Sequence, residues 1–282
     1  MAIKIVTDST AYIPKALLEE YDIKVISLNV TMNDKSYREL DLSNDTFYTE
    51  MANLNNIPTS SQPSPMEIYK VFEDIVKSSD TVVGIFLSSK MSGTYSSTNL
   101  AASMVRDNYP NADIHLIDSL TNCMQMGFMV IEAAKAALEG KTLEEVINTA
   151  KAVQANSRFL FTPHTLEYLH KGGRIGGASA LFGKILQIKP ILTVENGETT
   201  LFTKVRTKKK AIDTILSKLL EDIEGKALGG IIVHHINSPE EGENLASIIE
   251  SKTGIKPYIG SIGPVIGLHV GPQSIGIAYF TK

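Results

Sequence analysis

Short β-rich runs alternate with amphipathic helices through the first half of the chain, and this alternation limits the fold more than any other feature. Residues 3–6 read as a strand. Pro14 then starts a helix with Leu17, Leu18 and Tyr21 as apolar positions. Residues 24–31 read as the next strand. Ser64-Pro65-Met66-Glu67 carries a cap and its reciprocal acid, so a helix starts there, with Ile68, Val71, Phe72 and Ile75 on one face. Strands at 82–87 and 113–118 alternate with helices at 93–105 and 122–138, and Thr142 with Glu145 caps one more. Such alternation implies right-handed crossovers and a mostly parallel sheet.

After Asn156 the pattern changes. A strand at 158–161 leads to a helix at 163–171, ended by Gly172-Gly173. Asn196-Gly197 sits between runs at 191–195 and 199–205. Both turn residues tolerate positive φ, so these runs pair as a hairpin. Helices at 208–223 and 240–252 flank a strand at 230–235, and a strand at 274–280 closes the chain. The expectation is α/β with two domains: residues 1–156 as an N-terminal, mostly parallel α/β domain, and 157–282 as a C-terminal α+β domain with a mixed or antiparallel sheet. The boundary rests on the change in connection style, because no flexible linker marks it.

Bulk properties narrow the function classes. Hydrophobic residues make up 43% of the chain and net charge is −4, so cores can be filled and no basic surplus points to nucleic acid. Lys208-Lys209-Lys210 reads as a solvated helix face. Cys123 is the single cysteine and reads as a small buried hydrophobe. No run approaches the ~18 apolar residues of a membrane span, and the first residues lack a signal-peptide pattern, so a cytoplasmic protein is expected. With one Cys and no HExxH spacing, no metal site is expected. His234 and His235 point to opposite faces of a strand and cannot chelate as a pair. No GxGxxG follows the first strand. Residues 177–184 have one residue too many for a P-loop, and Ile185 stands where Ser or Thr is needed. No cofactor is expected.

Four polar loops follow strands of the first half: residues 7–10, 58–64, 88–95 and 118–121. Their hydroxyls either cap the helices they precede or converge on an anion. The second half adds Gly172-Gly173-Arg174-Ile175-Gly176-Gly177, Arg206-Thr207, and residues 263–272, where His269 lies in an apolar, Gly/Pro-bracketed segment. On its own His269 reads more readily as a satisfied core histidine than as a ligand contact. Ser92 with His269 would suit a hydrolase, but no GxSxG elbow and no acidic partner can be named. A binder of another anionic small molecule is a further reading.

Taken in order, Thr7-Asp8-Ser9, Thr59-Ser60-Ser61-Gln62-Pro63-Ser64, Ser88-Ser89-Lys90-Met91-Ser92-Gly93-Thr94-Tyr95, Gly172-Gly173-Arg174, Lys189-Pro190-Ile191-Leu192 and residues 263–272 resemble the DegV family across nearly the whole chain. The resemblance implies a bacterial protein that binds a long-chain fatty acid in a buried tunnel, with the carboxylate at the domain junction. It also implies that this chain is not itself the enzyme. It would be the lipid-carrying subunit of a fatty acid kinase, whose separate ATP-binding subunit forms the acyl phosphate that feeds phospholipid metabolism. Carried over by motif, the carboxylate contacts fall on Ser60, Ser92 and His269. Ser61, Gly93, Thr94 and Arg206 fall near the headgroup, and Arg174 on the contact with the kinase. The family usually has threonine at position 60 and glycine at position 273, where this chain has Ser60 and Gln273.

A fatty acid needs a dry channel for its tail. Met124, Met126, Phe128, Met129, Ile131, Ala180, Leu181, Phe182 and Ile185 either line it or form ordinary core. Each buried CH₂ contributes ~0.8 kcal/mol, so a sixteen-carbon tail supplies at most about 10 kcal/mol before ordering costs.

Overall fold

The computed structural model describes residues 1–183 and 188–282. Its first part runs β1 (Ile3–Asp8), α1 (Lys15–Glu20), β2 (Lys24–Ile26), β3 (Asn29–Met32), β4 (Lys35–Arg38), α2 (Asn44–Ala52), β5 (Thr59–Ser61), α3 (Pro65–Lys77), β6 (Thr81–Phe86), α4 (Thr94–Asn108), β7 (Ile114–Asp118), α5 (Cys123–Leu138) and α6 (Leu143–Ala155). The main sheet here has the order β2-β1-β6-β7, with every pair parallel. Local chemistry starts its helices. Ser64 and Thr142 both form complete capping boxes, with Glu67 and Glu145.

One expected strand divides in two. Residues 24–31 split at Ser27-Leu28: β2 joins the parallel sheet, and β3 turns away to form a small antiparallel sheet in the order β4-β3-β5. Remote groups hold the break open. Leu28 N–H donates to Ser9 Oγ at 3.0 Å, and its carbonyl accepts from Glu39 N–H at 2.8 Å. This small sheet carries Ser60.

The second part runs β8 (Ser157–Thr162), α7 (Glu167–Lys171), β9 (Lys189–Glu195), β10 (Glu198–Val205), α8 (Lys208–Asp222), β11 (Leu228–His235), α9 (Pro239–Thr253), β12 (Tyr258–Ser261), α10 (Pro264–Val270) and β13 (Ile275–Thr281). Its sheet has the order β10-β9-β8-β13-β11-β12, antiparallel except for the β11–β12 pair. The hairpin turns at Asn196 and Gly197, with φ of 50° and 86°. The expected helix at 163–171 is shorter and starts at Glu167; Thr165 Oγ1 accepts from Glu167 N–H at 3.2 Å in the turn that precedes it.

Each part has an apolar core of its own, and a third, larger core draws on both sides of Asn156. Met124, Met126, Phe128, Met129 and Ile131 are buried there on α5. No helix among the described residues is long and apolar enough to cross a membrane.

Candidate functional site

A cavity enclosing about 860 Å³ of empty space, its mouth included, lies between the two parts. Apolar side chains form most of its wall, among them Leu28, Phe159, Phe161, Leu169, Ile236 and Val265. Ser60, Ser61, Ser92, Gly93, Arg174 and His269 line the same cavity. Among the described residues no Asp or Glu lines it. An apolar chamber with a small polar group and no acid suits an amphipathic anion.

Three elements bring the polar group together. The small sheet places Ser60 on β5, and the β6–α4 turn supplies Ser92 and Gly93. His269 sits in the last turn of α10. Ser60 Oγ lies 2.8 Å from His269 Nε2. Ser92 Oγ lies 2.9 Å from Thr94 Oγ1 and accepts from Thr94 N–H at 3.2 Å. His269 Nδ1 has no partner among the described residues, and Gly172 packs directly against it. That packing favours the Nε2–H tautomer, in which the imidazole donates to Ser60 and frees the Ser60 hydroxyl to donate onward. Burial, with Arg174 nearby, lowers the His269 pKa to about 4, so the ring is neutral at pH 7.

A polar network backs the wall. Ser9 Oγ and Tyr12 Oη donate to the buried Glu39 carboxylate, and Val265 N–H donates to Glu39 Oε1 at 2.8 Å. Ile266 N–H donates to Tyr12 Oη at 3.1 Å. Glu39 and Tyr12 therefore hold the first turn of α10, the helix that carries His269. Burial raises the Glu39 pKa to about 7, against the pull of its donors.

The structure separates several residues that the sequence grouped. In the first polar loop Asp8 Oδ2 accepts from Leu87 N–H at 2.8 Å and Asp8 Oδ1 from Thr10 N–H at 3.0 Å, so that loop ties β1 to β6. In the fourth, Asp118 Oδ1 accepts from Ser89 and Leu120 N–H groups, and Ser119 and Thr121 bond locally. Only the second and third loops reach the cavity. Arg206 does not: it lines a different cavity, with His164, Lys189 and Lys204, because it follows the C-terminal end of β10, whereas Thr199 near that strand's start lines the first cavity. Thr94 reaches the site through Ser92. Arg174, expected on a docking face, is exposed yet lines the cavity. It also lines two shallower surface clefts, and is the one described residue common to all three. Its Nε donates to the Met91 carbonyl at 3.1 Å.

The methionines and Phe128 of α5 are buried in the shared core and do not line the cavity, whose apolar wall draws on β8, β9, β13, α7 and α10. Leu181 and Phe182 line the Arg206 cavity, Ala180 is exposed, and Ile185 falls outside the described residues. Sequence reasoning missed Asn122 and His234 in the cavity wall. Nothing local flags them, since Asn122 reads as a helix cap and His234 as a strand residue. A hydrolase needs an acceptor on Nδ1 to orient the imidazole, and among the described residues Nδ1 has none; His269 pairs with Ser60 there and not with Ser92.

Fold and site together define a two-part α/β protein with an internal apolar cavity that carries a small polar group of serines, His269 and Arg174. Residues 2–282 match the family described as uncharacterised proteins of the DegV family. A DegV domain-containing protein of Clostridium acetobutylicum is 51% identical over 282 residues, covering 100% of this chain and 99% of the relative. The crystal structure of DegV from Bacillus subtilis, described as a fatty acid binding protein, superposes with a TM-score of 0.92 at 37% identity, covering 100% of both chains. A stearic acid-binding protein from Eubacterium ventriosum gives a TM-score of 0.91 at 27% identity, covering 99% of this chain and 98% of that one. The chain belongs to the DegV family.

Proposed function

We propose that this chain binds a long-chain fatty acid, with the tail in the apolar cavity and the carboxylate at Ser60, Ser92 and His269. The observation that carries the reading is the Ser60–His269 pair at 2.8 Å, set in a cavity wall that is otherwise mostly apolar and free of acids. A buried carboxylate without partners is costly by several kcal/mol, and hydrogen bonds to a charged group return ~1.5–3 kcal/mol each. Nε2–H to Ser60, and Ser60 O–H to the carboxylate, forms a relay that needs no formal charge on the ring. Arg174 adds a cation at the same cavity. Relatives described as fatty-acid-binding support the tail assignment.

The reading extends to presentation of that carboxylate to a separate ATP-dependent kinase subunit, which would form the acyl phosphate. The chain would then be a substrate carrier and not itself the enzyme, acting in the cytoplasm where ATP is supplied. Support for this step is the family resemblance and the lack of a nucleotide motif in the sequence. Arg174, which is exposed and lines the cavity, would serve both headgroup and partner in this reading.

Mass spectrometry of the organic extract from denatured, purified protein tests binding. A stoichiometric fatty acid is expected. Absence of any, together with no uptake of added palmitate, overturns the reading. For the second step, acyl phosphate should form from loaded protein and ATP only when a kinase partner is added.

A further inference from the structure

We propose that Asn122 is a further ligand contact in this cavity, its carboxamide hydrogen-bonding the polar head of the bound acid. The inference rests on the fatty-acid reading above. Asn122 occupies the N-cap of α5, where an asparagine oxygen ordinarily accepts from an N–H of the first turn. It makes no such bond, as Ser43 and Ser238 make none at their helices while Ser64, Thr142 and Thr207 do; the Met124 N–H of that turn donates to His234 Nε2 at 3.2 Å instead, which leaves the Asn122 amide uncommitted. Asn122 lies in the cavity wall with Ser92 and His269. The residue is 7% exposed, and its Oδ1 has no hydrogen-bond partner among the described residues. Among the described residues its Nδ2 donates only to Met91 Sδ, at 3.1 Å, and a thioether is a weak acceptor.

The neighbours place the amide at the headgroup end. Met91 directly precedes Ser92, and the Met91 carbonyl takes the Arg174 Nε proton. The next residue, Cys123, holds a φ of 51°, a left-handed conformation that is uncommon for a side chain of this kind. An unpaired buried oxygen and a strained successor thus coincide at one point of the cavity wall. Unfavourable features that cluster this way mark ligand sites more than packing sites. An amide suits the task because rotation about χ2 exchanges its two ends. The NH₂ end donates to a carboxylate, and the oxygen accepts from a protonated carboxyl.

The test uses full-length, lipid-stripped protein and displacement of a fluorescent fatty acid by palmitate or by hexadecanol, which lacks the charge. Asn122→Leu is expected to weaken palmitate binding about ten- to a hundredfold, the size of one hydrogen bond to a charged group, and hexadecanol binding far less. Asn122→Ser, which keeps a capping side chain, should show the same selective loss and covers the case in which the leucine variant does not fold. Asn122→Asp should lose palmitate more at pH 8 than at pH 5.5, because it sets like charges face to face. Equal losses for both probes, or unchanged palmitate affinity in Asn122→Leu and Asn122→Ser, overturn the inference and leave the fatty-acid reading standing. Failure of the unsubstituted protein to bind palmitate overturns both.

Discussion

Gly172 lies directly against the ring of His269: a β-carbon at residue 172 would come within 2.4 Å of Nδ1 and 3.0 Å of the Tyr168 carbonyl oxygen. The φ of Gly172 is −76°, which any residue adopts, so the demand for glycine here is one of space and not of backbone freedom. Gly172→Ala should push the imidazole off its position and lengthen the 2.8 Å contact with Ser60. We expect palmitate affinity to fall about tenfold or more, the worth of roughly one charged-group hydrogen bond. Unfolding midpoints should move little, because His269 can turn toward the cavity. Calorimetric titration against the unsubstituted protein checks this, and an unchanged affinity shows that His269 position is not what holds the carboxylate.

Ser60 offers a complementary change. A threonine keeps the hydroxyl and adds a β-methyl that restricts χ1. Ser60→Thr should hold palmitate as tightly or a fewfold tighter, while Ser60→Ala removes the link between Nε2 and the carboxylate and should weaken it about tenfold or more. If Ser60→Ala binds as well as the parent, the relay is not used.

These site residues were unevenly legible in the sequence, and the reason is range. Ser64 with Glu67, Thr142 with Glu145, and Asn196-Gly197 act within four residues, and the structure has each as read. The split of residues 24–31 depends on Ser9 and Glu39, which no local pattern links to Leu28. The same holds for α10. Its first turn is held by Glu39 and Tyr12, more than 220 residues away along the chain, so His269 read only as a histidine in an apolar segment. Motif resemblance named Ser60, Ser92 and His269, which do line one cavity, but it also put Arg206 beside them. Spacing along a chain does not tell which end of a strand meets the cavity: Thr199, at the start of β10, lines it, and Arg206, after its end, does not.

Glu39 is the strongest structural prediction. Its buried carboxylate accepts from Ser9, Tyr12 and Val265 N–H, joining the wall at Leu28 to α10. Glu39→Ala leaves those donors unpaired in the interior and should cost ~3 kcal/mol in urea unfolding. Lipid release should also accelerate, because α10 loses its anchor. Glu39→Gln retains one acceptor and should lose less of both. Release rates that stay unchanged in Glu39→Ala would separate this network from the ligand site.

The dependence of stability on pH follows from groups with opposing signs. Burial lowers both His269 and His234 to about 4 in the folded protein, against 6.5 in the unfolded chain. Above pH 6.5 both are neutral in either state and their contribution is complete. As pH falls from 6.5 to 4 the unfolded chain takes up protons first, so stability drops, by up to about 3 kcal/mol for each histidine. Glu39 runs the other way. Its pKa is about 7 folded and 4.5 unfolded, so its contribution is complete below 4.5 and is lost as pH rises through 7. On acidification from pH 7.5 to 5, Glu39 therefore offsets part of what the histidines lose. Glu39→Gln removes that offset, so the variant should lose more stability than the parent over this interval, and urea midpoints at the two pH values measure it. Palmitate should act on the other side of the balance, because a carboxylate beside His269 favours the imidazolium and raises its pKa. Loaded protein should then lose less stability than stripped protein between pH 6.5 and 5, and equal losses in the two would place the carboxylate away from His269.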